Sequence, residues 1–142
     1  YLICSNKNLN KMEKKYFKVG VIFAFTSVIL GAFGAHLLKY LLSATELSSF
    51  KTGVRYQMFH ALGIIILSLN QDKFTEELNR VLQIMSFGVV LFSFSIYLLS
   101  LQNILNISLS FLGVITPIGG LFLITSWMLL FFIVKKNNSS HI

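Results

Sequence analysis

Arg55, Gln57 and His60 stand close together at the mouth of a strongly apolar run, where groups of this kind are costly unless they have work or partners. An imidazole transfers protons or binds metals, an amide donates and accepts at once, and a guanidinium holds anions. His36, Tyr56, Ser93, Tyr97 and Thr116 carry further polar groups that helical geometry would bring to the same depth. The inventory limits what this set is able to do. His36 and His60 would give a metal two ligands, but such sites usually want a third protein ligand. Cys4 is the only cysteine, and no Asp or Glu lies inside any long apolar run, so neither an internal disulfide nor a thiolate or carboxylate site is available. No Ser-His-Asp set, phosphate loop or nucleotide motif is present. The expectation is a non-enzymatic protein with no cofactor and no bound metal. His60, Gln57 and Tyr97 are expected to form a hydrogen-bonded layer in which the imidazole is neutral.

The elements that must position these groups are membrane helices. The chain has 142 residues, 55% of them hydrophobic and 12% charged, with a mean hydropathy of +0.74, far from a soluble domain's balance. A bilayer core of roughly 30 Å takes about 20 apolar residues per helical crossing. Residues 19–38, 81–101 and 111–134 meet that length without an Asp, Glu, Lys or Arg. Residues 54–69 are shorter and begin with the polar set; their length also suits a re-entrant segment. Counting all four as crossings puts nine Lys/Arg on the side of the termini (Lys7, Lys11, Lys14, Lys15, Lys18, Lys73, Arg80, Lys135 and Lys136) and three on the other (Lys39, Lys51 and Arg55). The positive-inside rule then orients both termini to the cytoplasm. The expected fold is all-α, a four-span transmembrane helical bundle in the cell (inner) membrane. A basic tail of residues 1–18 precedes the membrane domain of residues 19–134, and a second tail of residues 135–142 follows it. Met12 opens a charged lead into the first helix and is the expected native start. Ala32-Phe33-Gly34 resembles a cleavage site, but the apolar run continues to Leu42, too long for a signal peptide. The net charge of +7 is assigned to topology, and no nucleic-acid partner is expected.

Local signals refine this plan. Ser43 and Glu46 in "SATE" match a capping box, predicting a short interfacial helix before Thr52-Gly53 turns the chain inward. Arg55 is placed at the outer water interface, with Gln57 and His60 about 3 and 7.5 Å deeper along a helix. Because helices in lipid gain nothing by hiding leucine, contacts are marked by small and polar residues. Gly20, Ala24, Ser27, Gly31 and Ala35 form such a stripe in the first span. Gln57, His60 and Ser68 align in the second, Ser86, Ser93, Tyr97 and Ser100 in the third, and Gly113, Thr116 and Gly120 in the fourth. Pro117 predicts a helix start or kink. His141, in the tail "KKNNSSHI", is expected to be disordered.

Four stretches also resemble one family. "GAFGAHLL" (31–38), "FKTGVRYQMFHALG" (50–63), "LFSFSIYLL" (91–99) and "GVITPIGGLFLITSW" (113–127) are similar, in order and spacing, to the signatures of the transmembrane protein 256-like (YgdD-like) family of small uncharacterised integral membrane proteins. The resemblance implies a small helical membrane protein and supplies no established activity or site residues. Phe94 and Ser126 stand where glycine is common in that family. The functional expectation is binding of a membrane partner, a lipid, a small amphiphile or a second copy of the chain, in association with the bilayer, through the outer polar layer. A small transport or ion-conducting unit is the alternative.

Overall fold

A computed structural model describes the backbone of residues 2–134 and the side chains from residue 13 onward. The tail of residues 135–142, with His141, lies outside the described residues. Five α-helical segments form four rods: α1 (Leu2–His36), α2 (Ala44–Leu69), α3 (Leu78–Val89) with α4 (Ser95–Leu105), and α5 (Leu112–Phe132). A π-helical turn, Val90–Phe94, joins α3 to α4 without breaking the rod. Among the described residues there is no strand, only an isolated antiparallel bridge between Phe74 and Val134.

Successive rods run antiparallel. Ser43 and Asn106 mark one end, called the cap end here, and the connection through residues 70–77 lies at the opposite, terminal end. There Tyr16 donates to the Asn79 carbonyl across 3.4 Å, and the Thr75 amide donates to that of Ile133 across 3.1 Å. α1 packs chiefly on α2, α2 on α3 and α4, and these on α5. At the terminal end the core holds Tyr16, Ile64, Leu67, Leu78, Val81, Leu82, Met85, Val89, Leu123 and Ile133; at the cap end it holds Leu38, Leu42, Phe50 and Tyr97. Phe25, Phe59, Leu121 and Phe131 face outward. Such an apolar exterior is what hydrocarbon, and not water, would accommodate.

Three stretches are long and apolar enough to cross a membrane: Glu13–Tyr40, Leu78–Leu105 and Leu112–Phe132. α2 has the length, 26 residues, or about 39 Å at 1.5 Å per residue. Lys51, Arg55, Gln57 and His60 make its first two-thirds polar, so it does not join those three by composition.

Two local expectations require correction. The capping box forms as read: the Ser43 hydroxyl accepts from the Glu46 amide, and the Glu46 carboxylate accepts from the Ser43 amide at 2.8 Å. The helix it starts, however, does not end at Thr52-Gly53. Thr52 donates to the Ser48 carbonyl at 3.1 Å inside a continuous α2. Gly53 serves a close approach, since a Cβ there would meet Tyr97 Cε1 at 2.8 Å. In α5 the tight contact belongs to Gly119, where a Cβ would lie 2.5 Å from the Phe92 amide nitrogen. The predicted Gly113 has nothing within 4 Å, and Gly120 makes only ordinary contact with the Phe92 ring. Of the expected stripe Thr116 does face the neighbouring rod, whereas the close glycine contact falls one position from Gly120, because adjacent helix positions point about 100° apart. Pro117 lies inside α5, which starts at Leu112.

Candidate functional site

The polar layer is assembled from all four rods. Gln57 is its centre: Nε2 donates to the Phe23 carbonyl at 2.8 Å and to Thr26 Oγ1 at 2.7 Å, while Oε1 accepts from the Tyr97 hydroxyl at 2.9 Å. One amide side chain therefore ties α2 to α1 and to α4. Both Gln57 and Tyr97 are buried, where an unpaired polar group would cost about 1 to 3 kcal/mol. Just beyond, Ser93 in the π turn donates to the Gly53 carbonyl at 3.0 Å.

His60 is buried beside this cluster but bonds elsewhere. Its Nδ1 lies 2.7 Å from the Tyr56 carbonyl, and the Trp127 indole N–H donates to Nε2 at 3.1 Å. A carbonyl only accepts and an indole only donates. The pair of partners therefore selects the neutral tautomer protonated on Nδ1, assigned from the partners. The expected bonds from His60 to Gln57 and Tyr97 are replaced by this link from α2 to α5. The cause is rotation along α2: positions 57 and 60 differ by three residues and so diverge by about 60° around the helix.

The remaining predicted residues separate into two groups. Tyr56 is partly exposed, its ring 4.7 Å from that of Phe92 and 6.0 Å from that of His60. Thr116 shares a 2.8 Å hydrogen bond with Ser95 and donates to the Leu112 carbonyl, joining α5 to the end of the π turn. His36 and Arg55 are exposed and do not enter the layer. With α2 continuous, Arg55 sits about 16 Å along the axis from Ala44, well inside the helix instead of at its mouth. It lines a shallow groove of about 300 Å³ with Lys51, Gly31 and Gly34. Sequence reasoning missed Thr26, Ser95 and Trp127 as partners. The first adjoins the small-residue stripe of α1, and the last closes a quoted signature, but neither position announces which helix it faces.

Two larger clefts flank the layer on opposite sides of the contact between α2 and α4. One, of about 460 Å³, lies between α1 and the α3–α4 rod; every lining side chain except Thr26, Gln57 and Tyr97 is apolar. The other, of about 430 Å³, opens at the cap end among α2, α4 and α5. Among the described residues no three His, Cys, Asp or Glu side chains come together as a metal site would require.

An all-helical bundle with an apolar exterior and an internal polar layer is the form of an integral membrane protein. A family model described as "Protein of unknown function (DUF423)" matches residues 30–120, and the chain belongs to that family. Among its relatives, the UPF0382 membrane protein YwdK of Bacillus subtilis is 40% identical over 119 residues, covering 82% of this chain and 93% of its own length. The UPF0382 inner membrane protein YgdD of Escherichia coli is 36% identical over 110 residues, covering 77% and 80%. A UPF0382 membrane protein of Haemophilus influenzae is 32% identical over 128 residues, covering 90% and 99%. No solved structure matches the chain.

Proposed function

We propose that the protein is a non-enzymatic, four-span membrane protein, both termini cytoplasmic, that binds the apolar chain of a lipid or small amphiphile in the cleft between α1 and the α3–α4 rod. The cleft carries this reading. It is walled by Ile22, Leu30, Val90, Phe94, Leu98 and Leu101, opens among side chains that face the bilayer, and has Gln57 and Tyr97 at its polar edge. Phe94, one of the two departures from the family pattern, gives it an aromatic wall. The hydrogen bonds of Gln57, His60 and Tyr97 are spent within the bundle, which favours binding beside the layer over conduction through it. The four-span arrangement is supported by the length of α2 and by its antiparallel packing between α1 and the next rod. The nine-to-three Lys/Arg asymmetry, and a relative that bears an inner-membrane name, support the cytoplasmic termini and the inner membrane.

Native mass spectrometry from a gentle detergent tests the cleft: the parent retains an adduct of lipid mass, and Leu98→Trp, which fills the cleft, loses it. A bare parent, or an equal adduct in the variant, overturns the assignment. Topology is tested separately with single cysteines at Thr45 and Ser139 in a Cys4→Ser background. An impermeant thiol reagent labels Thr45→Cys in intact cells and spares Ser139→Cys; the opposite pattern reverses the orientation.

A further inference from the structure

The cap-end cleft has a different chemistry from the apolar one. It is lined by Thr45, Glu46 and Ser49 of α2, by Ser100 of α4, and by Gly113, Thr116 and Pro117 of α5. Glu46 is the only charged group among its lining residues. Hydrogen bonds from the Ser43 hydroxyl, the Ser43 amide and Asn103 hold its carboxyl below the usual carboxylate range, so it is ionised at neutral pH.

Ser100 is only 3% exposed, yet its hydroxyl has no hydrogen-bond partner. Buried hydroxyls are rarely left so, and each case calls for a reason. Pro117 has no N–H, so it offers nothing to the Gly113 carbonyl one turn earlier, and both residues line the cleft. The backbone amides nearby are already used, and the Thr45 and Ser49 hydroxyls on the rim can accept as well as donate. The amides of Leu112, Gly113 and Val114 bond to the Leu109, Ser110 and Phe111 carbonyls, and that of Glu46 bonds to Ser43. What remains is a carboxylate, a carbonyl and an unpaired hydroxyl around one cavity of about 430 Å³, a set rich in acceptors.

The geometry points to a binding site for a primary ammonium group, held by Glu46, Ser100 and the Gly113 carbonyl at the cap end of the bundle. A compact cation with three N–H donors matches three acceptors. The group is carried either by a soluble amine or by the headgroup of an aminophospholipid.

The test is the thermal stability of the full chain in detergent with ethanolamine or tetramethylammonium, and in nanodiscs of phosphatidylethanolamine or phosphatidylcholine. Ethanolamine, the ethanolamine lipid or both stabilise the parent, whereas tetramethylammonium and the choline lipid, which have no N–H donors, do not. A response to ethanolamine in detergent assigns a soluble amine as sufficient, and a response to the ethanolamine lipid alone assigns the headgroup. Glu46→Gln, which keeps the capping geometry but removes the charge, and Ser100→Ala each raise the half-saturating ligand concentration by about tenfold or more. Gly113→Leu fills the cleft at a position with open space around it, so it preserves the fold while abolishing the response. Equal responses to ethanolamine and tetramethylammonium, no response to any probe, or undiminished responses in Glu46→Gln and Gly113→Leu overturn the site.

Discussion

At the terminal end of the bundle, Ile64, Leu78, Leu82 and Met85 are completely enclosed by other apolar side chains. At the cap end the enclosed apolar set shrinks to Leu38, Leu42, Phe50 and Tyr97, and the space between rods is taken by polar pairs and by two clefts. Apolar packing holds helices together through close fit, but in lipid it discriminates weakly among partners because hydrocarbon is equally apolar. Gln57 bonding to the Phe23 carbonyl, Thr26 and Tyr97 admits few alternatives. The terminal end therefore supplies close-packed mass, and the layer toward the cap end supplies register and leaves open clefts between the rods. Gly119 and the π turn lie where the two regimes meet.

The sharpest way to break this division is to wedge that junction. Gly119→Leu drives a side chain into the backbone at Leu91 and Phe92, where even a Cβ would lie 2.5 Å from the Phe92 nitrogen. The neighbour is backbone and has no rotamer to yield, so the expected cost is about 3 kcal/mol or more, at the upper end of overpacking effects. Gly113→Leu, six positions earlier on the same helix, should leave stability nearly unchanged because nothing lies within 4 Å. Monodispersity and thermal stability in one detergent separate them. Equal loss in both would show that α5 does not pack through Gly119.

A smaller effect is expected inside the polar layer. Gln57→Leu strands the buried Tyr97 hydroxyl and should lower stability by about 1 to 2 kcal/mol, toward the top of the range for interhelical hydrogen bonds in membranes. His60→Leu should cost less, because the Trp127 that loses its acceptor is itself 47% exposed. His60→Gln should be milder still, since an amide still donates and accepts. Trp127 fluorescence reports the same event independently: its emission should shift in His60→Leu and stay near the parent in Gln57→Leu. If the emission shifts in both or in neither, the two hydrogen-bond systems are not separate as drawn.

What was legible in the sequence follows the same division. Composition and charge patterning gave the all-helical membrane protein, and the small-residue stripe of α1 was read correctly at Gly20 and Ser27, both buried against α2. At the cap-end edge of that stripe Gly34, and not Ala35, faces Phe50. The Ser43–Glu46 box was legible because capping is local chemistry. Gly53 is ambiguous in the sequence, because a glycine beside a threonine looks the same whether it turns a chain or admits a tyrosine from another helix. Phe94, in place of a glycine that would permit a close helix contact, makes none: it is exposed beside the apolar cleft, and the close contacts of that rod fall at Gly88 and Phe92. Ser126, the other departure, is buried and satisfied by the Leu123 carbonyl at 2.7 Å. The His60–Trp127 pair joins residues 67 positions apart, which no spacing rule reaches.

The smallest expected effect lies at the cap itself, where it sharpens the contrast by adding pH. Glu46 is partly exposed at the rim of the cleft, and its hydrogen bonds from Ser43 and Asn103 hold its pKa below the ordinary 4.5. A carboxylate whose folded pKa is depressed contributes stability above its unfolded pKa and loses that contribution as pH falls through the folded one. Lowering the pH from about 7 to about 3 should therefore loosen the Ser43 cap and the bridge to Asn103. Glu46→Gln keeps one amide oxygen for the Ser43 donors, loses the acceptor for Asn103 and does not titrate, so its melting temperature should change less over that range than the parent's. Hydrogen exchange at the start of α2 locates the effect, because faster exchange at acid pH is expected there in the parent and not in the variant. If parent and variant show the same acid response, the Ser43–Glu46–Asn103 contacts do not contribute to holding the cap end closed.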